Sequence, residues 1–79
     1  MNYEEIAQFC YNNRPTGALF ADDEYWNSVI GQHGHSPKDS KLIFLQLIDM
    51  NYFHKLNNRN YILNYKYFRK YGGYQYRNA

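Results

Sequence analysis

The chain has 79 residues, which gives room for one domain with a modest core and argues against an enzyme with a large substrate cleft. Its composition, 44% hydrophobic and 20% charged, is in the range of globular proteins, and its single cysteine excludes an internal disulfide and a cysteine-rich metal site. We therefore expect a single domain over residues 1–79, with a core of residues 1–64 followed by a basic, tyrosine-rich C-terminal segment, residues 65–79.

The sequence lacks the signals of a membrane or secreted protein. No apolar run approaches the roughly 18 residues that a membrane-spanning helix needs. The first residues, MNYEEIAQF, carry acids where a signal peptide would carry bases. The lone cysteine, Cys10, fits a reducing compartment. These features predict a cytoplasmic protein with no membrane partner.

Charge is divided unevenly between the two halves of the chain. Residues 1–40 hold two Lys or Arg and six Asp or Glu, a net charge of −4. Residues 41–79 hold seven Lys or Arg and one acid, a net charge of +6. A polyanion such as a nucleic acid would therefore meet the second half first.

Local capping and breaking signals predict the first elements. Asn2 and Glu5 have capping-box spacing and precede an apolar stripe, which predicts a helix over Tyr3–Asn13 that Pro15 ends. The segment Thr16–Phe20 fits either an extended connector or one small strand.

Two further helices follow. Asp22 or Asp23 can cap a second helix, which ends near Gly31. Ser36, followed directly by a proline, is a strong start signal and predicts a third helix over Pro37–Met50.

The second half of the core has the pattern of a β-hairpin. The runs Tyr52–Leu56 and Tyr61–Tyr65 contain aromatic and branched residues that strands prefer, and Asn57–Asn60 supplies a polar loop. Beyond this point the pattern fits either a short helix capped by Asn64 or a strand that turns at Gly72-Gly73.

The order helix, short extended piece, helix, turn, helix and hairpin resembles the winged-helix (winged helix-turn-helix) family. In that family the third helix usually ends with a leucine, three residues, a glycine and two apolar residues. The stretch Leu47–Phe53, LIDMNYF, is similar, with Asn51 in the position of the glycine, and His54–Ile62 then resembles the wing. The resemblance covers Tyr3–Tyr65 and implies a small α+β, winged-helix-like domain of three helices and a hairpin.

The resemblance also implies duplex DNA as a ligand, with the third helix in the major groove and the wing on the backbone or in the minor groove. If Leu47 faces the core, helical spacing brings Ser40, Ile43 and Phe44 to the same face. We do not expect the opposite face of the helix to read DNA bases, because this face has only two basic side chains, beside three aliphatic side chains and one acidic side chain. That face consists of Lys38, Lys41, Leu42, Leu45, Gln46, Ile48 and Asp49.

Basic and aromatic residues alternate in the C-terminal segment, so that cations could neutralise phosphates while tyrosines stack on bases or pack on sugars. A solvated face, or tyrosines that complete the core, would explain the same pattern. The predicted nucleic-acid contacts are Lys38, Lys41, Lys55, Arg59, Lys66, Arg69, Lys70 and Arg77.

A protein interface is the competing interpretation. Exposed aliphatic residues on the third helix could dock on a partner, and tyrosine is enriched at interfaces. The alternative is that this helix is buried on both sides, under the first helix and the C-terminal segment. The predicted partner contacts are Leu42, Leu45, Ile48, Tyr67, Tyr71, Tyr74 and Tyr76.

Catalytic and metal-binding patterns are weak. His33 and His35 flank a glycine and could imitate a metal site with His54 or Cys10, but they lack the usual ligand spacing. Cys10 lies on a helical apolar stripe, where packing explains it better than catalysis. We expect a non-enzyme without cofactor, metal or small-molecule substrate.

Two functions therefore remain as hypotheses. The first is a small winged-helix-like DNA-binding protein, such as a phage or plasmid regulator, which binds mainly through its wing and C-terminal segment. The second is a phage-type protein-binding module that inhibits a host enzyme or defence complex. A homodimer is compatible with both.

Overall fold

The computed structural model describes residues 1–64, which form a small α+β domain of three helices and a three-stranded antiparallel sheet. None of the helices in this range is long and apolar enough to cross a membrane. The predictions for the C-terminal segment, including the choice between helix and strand, lie outside the described residues. The elements are α1 Tyr3–Asn12, β1 Phe20–Asp22, α2 Asp23–Gln32, α3 Pro37–Asp49, β2 Phe53–Lys55 and β3 Asn60–Leu63.

All three helices begin where the capping signals predict. The side chains of Asn2, Asp22 and Ser36 each accept a hydrogen bond from the backbone N–H three residues later, at 3.0, 2.8 and 3.1 Å. Helices α1 and α3 end one residue before the predicted positions, because Asn13 and Met50 have left the helical conformation and serve as C-caps.

Asn51, which stands in the position of the glycine just after α3, has a left-handed backbone conformation, with φ of +68°. The N–H of Tyr52 donates to the carbonyl of Leu47, and the N–H of Asn51 donates to that of Ile48, both at 2.9 Å. These two bonds form a Schellman motif, which satisfies carbonyls at the helix end. The motif reverses the chain directly into β2.

The sheet differs from the prediction in the extent of its strands. Its order is β1-β3-β2, so β3 is the central strand. Strand β1 overlaps the predicted segment Thr16–Phe20 only at its last residue, because it forms where Phe20 pairs with Ile62. Both hairpin strands are shorter than the predicted runs, and Asn60 belongs to β3 rather than to the loop.

An aromatic cluster connects the hairpin to α2 and α3. The ring centroids of Trp26 and Phe53 are 4.9 Å apart, and Phe44 contacts both Phe53 and Tyr61 at 5.1 Å. The indole N–H of Trp26 donates to the carbonyl of Tyr61 at 3.0 Å. Edge-on aromatic contacts of this kind add to the energy of burial, so the hairpin is held firmly on the helices.

Candidate functional site

Helix α3 has one buried and one exposed face, as its spacing predicts. Ser40, Ile43, Phe44 and Leu47 are buried, each exposing at most 4% of its surface. On the opposite face, Leu42 and Leu45 expose 58% and 61% of their surface. The alternative that the C-terminal segment covers this face lies outside the described residues.

Ile48 differs from these two leucines. The helical spacing predicts it on the outer face with them, but it is half-buried and packs against the core. Its position about 60° around the helix from Leu45 brings it to the boundary of the face, where the hairpin begins. Ile48 therefore borders the exposed apolar surface without standing clear of the core.

The wing, His54–Ile62, turns in the loop between β2 and β3, and the conformation of this loop depends on Asn57. The Asn57 side-chain oxygen accepts hydrogen bonds from the backbone N–H groups of Arg59 and Asn60, both at 3.0 Å. The N–H of Leu56 donates to the carbonyl of Asn60 at 2.8 Å and closes the hairpin. This Asx-type turn gives the wing tip a defined backbone.

The four predicted cationic contacts within residues 1–64 are all exposed. Lys38 and Lys41 lie one turn apart in the first half of α3, whereas Lys55 and Arg59 belong to the wing. Lys55 stands opposite Tyr61 in the hairpin register. Within the described residues none of these four side chains takes part in an ion pair. Their charges are therefore available to an anionic partner.

A surface cleft of about 510 Å³ brings the wing together with α3 and the start of α2. It collects one lysine of α3, Lys41, and one arginine of the wing, Arg59, which are distant in sequence. It also collects the three acids at the start of α2, Asp22, Asp23 and Glu24. The predicted cationic surface is therefore interrupted by negative charge at the point where helix and wing meet.

No signal in the sequence identified this cleft. Of the two predicted caps of the second helix, Asp22 is confirmed, because its side chain accepts a hydrogen bond from the N–H of Tyr25. Asp23 and Glu24 occupy the first turn, where the helix dipole favours acids. Their approach to Arg59 depends on the pairing of β1 with β3, which is a long-range contact.

Cys10 and His33 have different surroundings within residues 1–64. Cys10 is fully buried, and desolvation raises the pKa of its thiol from 9.0 to about 12. The Nδ1 of His33 is 3.1 Å from the Nε2 of His35, and the other ring nitrogen of His33 lies 3.7 Å from Glu5. Among the described residues no three His, Cys, Asp or Glu side chains are grouped to hold a metal.

The remaining predicted contacts, both cationic and aromatic, lie in the C-terminal segment outside the described residues. They are Lys66, Arg69, Lys70, Arg77, Tyr67, Tyr71, Tyr74 and Tyr76.

Comparisons of the chain with protein-family models, with curated proteins and with solved structures found no match.

Proposed function

We propose that this chain is a small, cytoplasmic, non-enzymatic DNA-binding protein with a winged-helix-like fold, which binds duplex DNA mainly through its wing and C-terminal segment. The observation that carries the proposal is the arrangement of α3 and the wing. Three helices pack with a sheet of order β1-β3-β2, and a tight left-handed turn at Asn51 joins α3 to the hairpin of β2 and β3. In winged-helix proteins this arrangement presents a helix and a β-loop to the same duplex.

The exposed cations support the wing as the main contact within residues 1–64. Lys55 and Arg59 are exposed and take part in no ion pair with the described residues. The side chain of Asn57 fixes the backbone of the wing tip, which limits the positions that Arg59 can occupy before DNA binds. Ordering a contact loop before binding reduces the entropy lost when the complex forms.

The acids around the start of α2 oppose conventional insertion of α3 in the major groove. Asp22, Asp23 and Glu24 share a cleft with Lys41 and Arg59, and phosphates that enter this cleft would meet negative charge. The exposed leucines of α3 likewise offer no donors to base edges. We therefore infer binding that depends on backbone contacts and has little sequence preference.

The proposal is tested by fluorescence anisotropy with a labelled duplex at low salt. We expect the wild-type chain to bind, and the double variant Lys55→Gln/Arg59→Gln to bind about 10-fold more weakly through the loss of two phosphate contacts. Arg14→Gln removes the same kind of charge outside the wing and α3, and serves as the control. Absence of wild-type binding at low salt would disprove the proposal.

A second candidate function has its own supporting observation, which is the exposure of Leu42 and Leu45 at 58% and 61%. Adjacent exposed leucines on a well-packed helix are typical of a docking surface. Under this hypothesis the chain binds a host protein and inhibits an enzyme or defence complex.

The second candidate is tested by capture of a partner from the native host. Leu45→Asp should abolish capture and leave the fold intact, because Leu45 is mostly exposed. Capture that is equally strong with this variant would rule out the leucines as the docking surface.

A further inference from the structure

A groove runs between α2 and α3 on the surface of the domain. The cleft of about 510 Å³ beside the wing and two smaller depressions, of about 240 and 270 Å³, are all lined by Asn27 of α2 and Lys41 of α3. Because the three depressions share these residues, they adjoin one another, and we call them together the α2–α3 groove. It extends from Arg59 in the wing to His35 in the turn before α3. Its size is in the range of small-molecule sites, about 300–1,000 Å³.

Opposite charges line the α2–α3 groove without pairing. Asp23 and Glu24 belong to the first turn of α2, whereas Lys41 and Arg59 come from α3 and the wing. Within residues 1–64 none of these four side chains takes part in an ion pair. A simple anion would be attracted by the bases and repelled by the acids, and a simple cation would meet the reverse. A ligand that carries both charges therefore fits the groove better than either.

Two buried polar atoms beside the groove have no hydrogen-bond partner among the described residues. They are Oδ1 of Asn27 and Oγ of Ser40, whose residue is only 1% exposed. Both residues line the depression of about 270 Å³. Buried polar atoms are nearly always hydrogen-bonded in folded proteins, so these two indicate a ligand with polar groups of its own.

Gly31 keeps the groove wide next to Ser40. It lies inside α2, where alanine would be the more favourable residue. A Cβ atom at this position would stand 3.6 Å from Oγ of Ser40, which is an ordinary van der Waals distance. The helix therefore does not require a glycine here, and what the missing side chain provides is space beside an unpartnered hydroxyl.

We propose that the α2–α3 groove binds a free α-amino acid whose side chain ends in a hydrogen-bonding group. The ammonium group of the ligand meets the carboxylate of Glu24 and donates to Oδ1 of Asn27. Its carboxylate meets Lys41 and Arg59 on the other side of the groove. Its side chain extends along the groove and ends at the hydroxyl of Ser40. Charge-assisted contacts of this kind recognise both ends of the zwitterion at once.

This binding does not rest on the proposed contact with DNA, and its test uses the full chain free of DNA. A negative anisotropy result with duplex DNA would therefore leave the amino-acid site standing, and the reverse also holds. The groove is open to water and the ligand is small, so we expect a dissociation constant of about 0.1–1 mM.

The test is an NMR titration of the ¹⁵N-labelled chain at low salt with L-glutamine, up to about 20 mM. We expect saturable shifts of the Gly31 backbone signal and of the Asn27 side-chain amide signals. Glutaramate lacks the ammonium group of glutamine, and 4-aminobutanamide lacks its carboxylate. Each analogue loses one of the two charged contacts and should bind at least about 10-fold more weakly.

Two substitutions test the position of the side chain of the ligand. Gly31→Ala places a methyl group in the groove and favours the helix, so it should weaken glutamine binding about 10-fold without lowering the stability of the fold. Ser40→Ala removes the hydroxyl and should weaken binding of glutamine, but not of L-norvaline, whose side chain lacks the amide. A general disturbance of the fold would weaken both ligands alike.

A matched pair of charge variants completes the test. Glu24→Gln removes the carboxylate that meets the ammonium group and should weaken glutamine binding about 10-fold. Asp39→Asn removes an exposed carboxylate outside the groove and should bind like the wild type. Circular dichroism checks that all variants keep the fold. Absence of saturable shifts in the wild type overturns the proposal. Equal binding of glutamine and either analogue, or unchanged binding in Gly31→Ala, overturns it as well.

Discussion

At the scale of single residues, burial controls the chemistry of Cys10. Its side chain is fully enclosed between α1 and the rest of the core, and the same burial raises the pKa of the thiol to about 12. The thiolate, which is the reactive form, is therefore disfavoured at physiological pH. Cys10 therefore contributes packing to the core.

The raised pKa of Cys10 predicts a pH dependence of stability. The folded state keeps the thiol proton above pH 9, where the unfolded state begins to lose it. Stability from this group is therefore complete below about pH 9 and decreases as the pH rises towards 12, by up to about 1.4 kcal/mol per pH unit.

Urea unfolding of the wild type and of Cys10→Ala between pH 8 and the highest accessible pH measures this effect. Tyrosines ionise in both proteins, so the difference between the two curves isolates Cys10. We expect the wild type to lose its advantage over the variant as the pH rises. Parallel curves would contradict the prediction.

In addition, a thiol reagent at pH 8 should modify the unfolded chain and leave the native protein unmodified.

Asn51 gives a second prediction at the residue scale, since its φ of +68° is a conformation that most side chains disfavour. Asn51→Ala should lower the free energy of unfolding by about 1 kcal/mol, because alanine resists the left-handed region. Asn51→Gly should be close to neutral. Both variants keep the backbone carbonyl that accepts the bond from Asn64. Urea unfolding followed by Trp26 fluorescence measures the difference, and equal effects of the two substitutions would disprove it.

At the scale of elements, the helices were predictable and the sheet was only partly so. The three N-caps act over three residues, and a hydrogen bond of this kind can be inferred from sequence alone. The same holds for the faces of α3, because helical spacing determines which of Ile43, Leu42 and Leu45 share a side. Residue exposure along α3 therefore follows the prediction, except at the boundary residue Ile48.

Strand β1 and the ends of the hairpin depend on contacts distant in sequence. Phe20 pairs with Ile62, and the alternation in a three-residue strand is too short to indicate a partner. The cleft that joins Arg59 to Asp23 follows from this pairing, so it could not be predicted either. The sequence identifies each cationic residue of the candidate site. It does not show that acidic residues lie between them, because that arrangement depends on the folded structure.

At the scale of the whole molecule, the basic character is concentrated at the C-terminus. Residues 1–64 contain five Lys or Arg and seven Asp or Glu, a net charge of −2. The C-terminal segment contains four bases and no acid, a net charge of +4. Attraction to a polyanion must therefore depend strongly on the C-terminal segment.

The salt dependence of DNA binding separates the two cationic surfaces. The slope of log K against log salt reflects the number of neutralised phosphates, with about 0.9 for each contact. Replacing the four basic residues of the C-terminal segment by glutamine should reduce this slope by up to about 3.6. The variant Lys55→Gln/Arg59→Gln should reduce it by up to about 1.8. The four positions are Lys66, Arg69, Lys70 and Arg77.

The control for this measurement keeps every charge. Tyr74→Phe/Tyr76→Phe changes the same segment without altering its cations, so its slope should equal that of the wild type. If the variant without the four C-terminal basic residues keeps the wild-type slope, the C-terminal segment does not contact phosphates. The predicted phosphate contacts would then be the wing, Lys38 and Lys41. If the slope falls in the C-terminal variant but not in Lys55→Gln/Arg59→Gln, the phosphate contacts belong to the C-terminal segment. The acids beside Arg59, which repel phosphates at the wing, would account for that result.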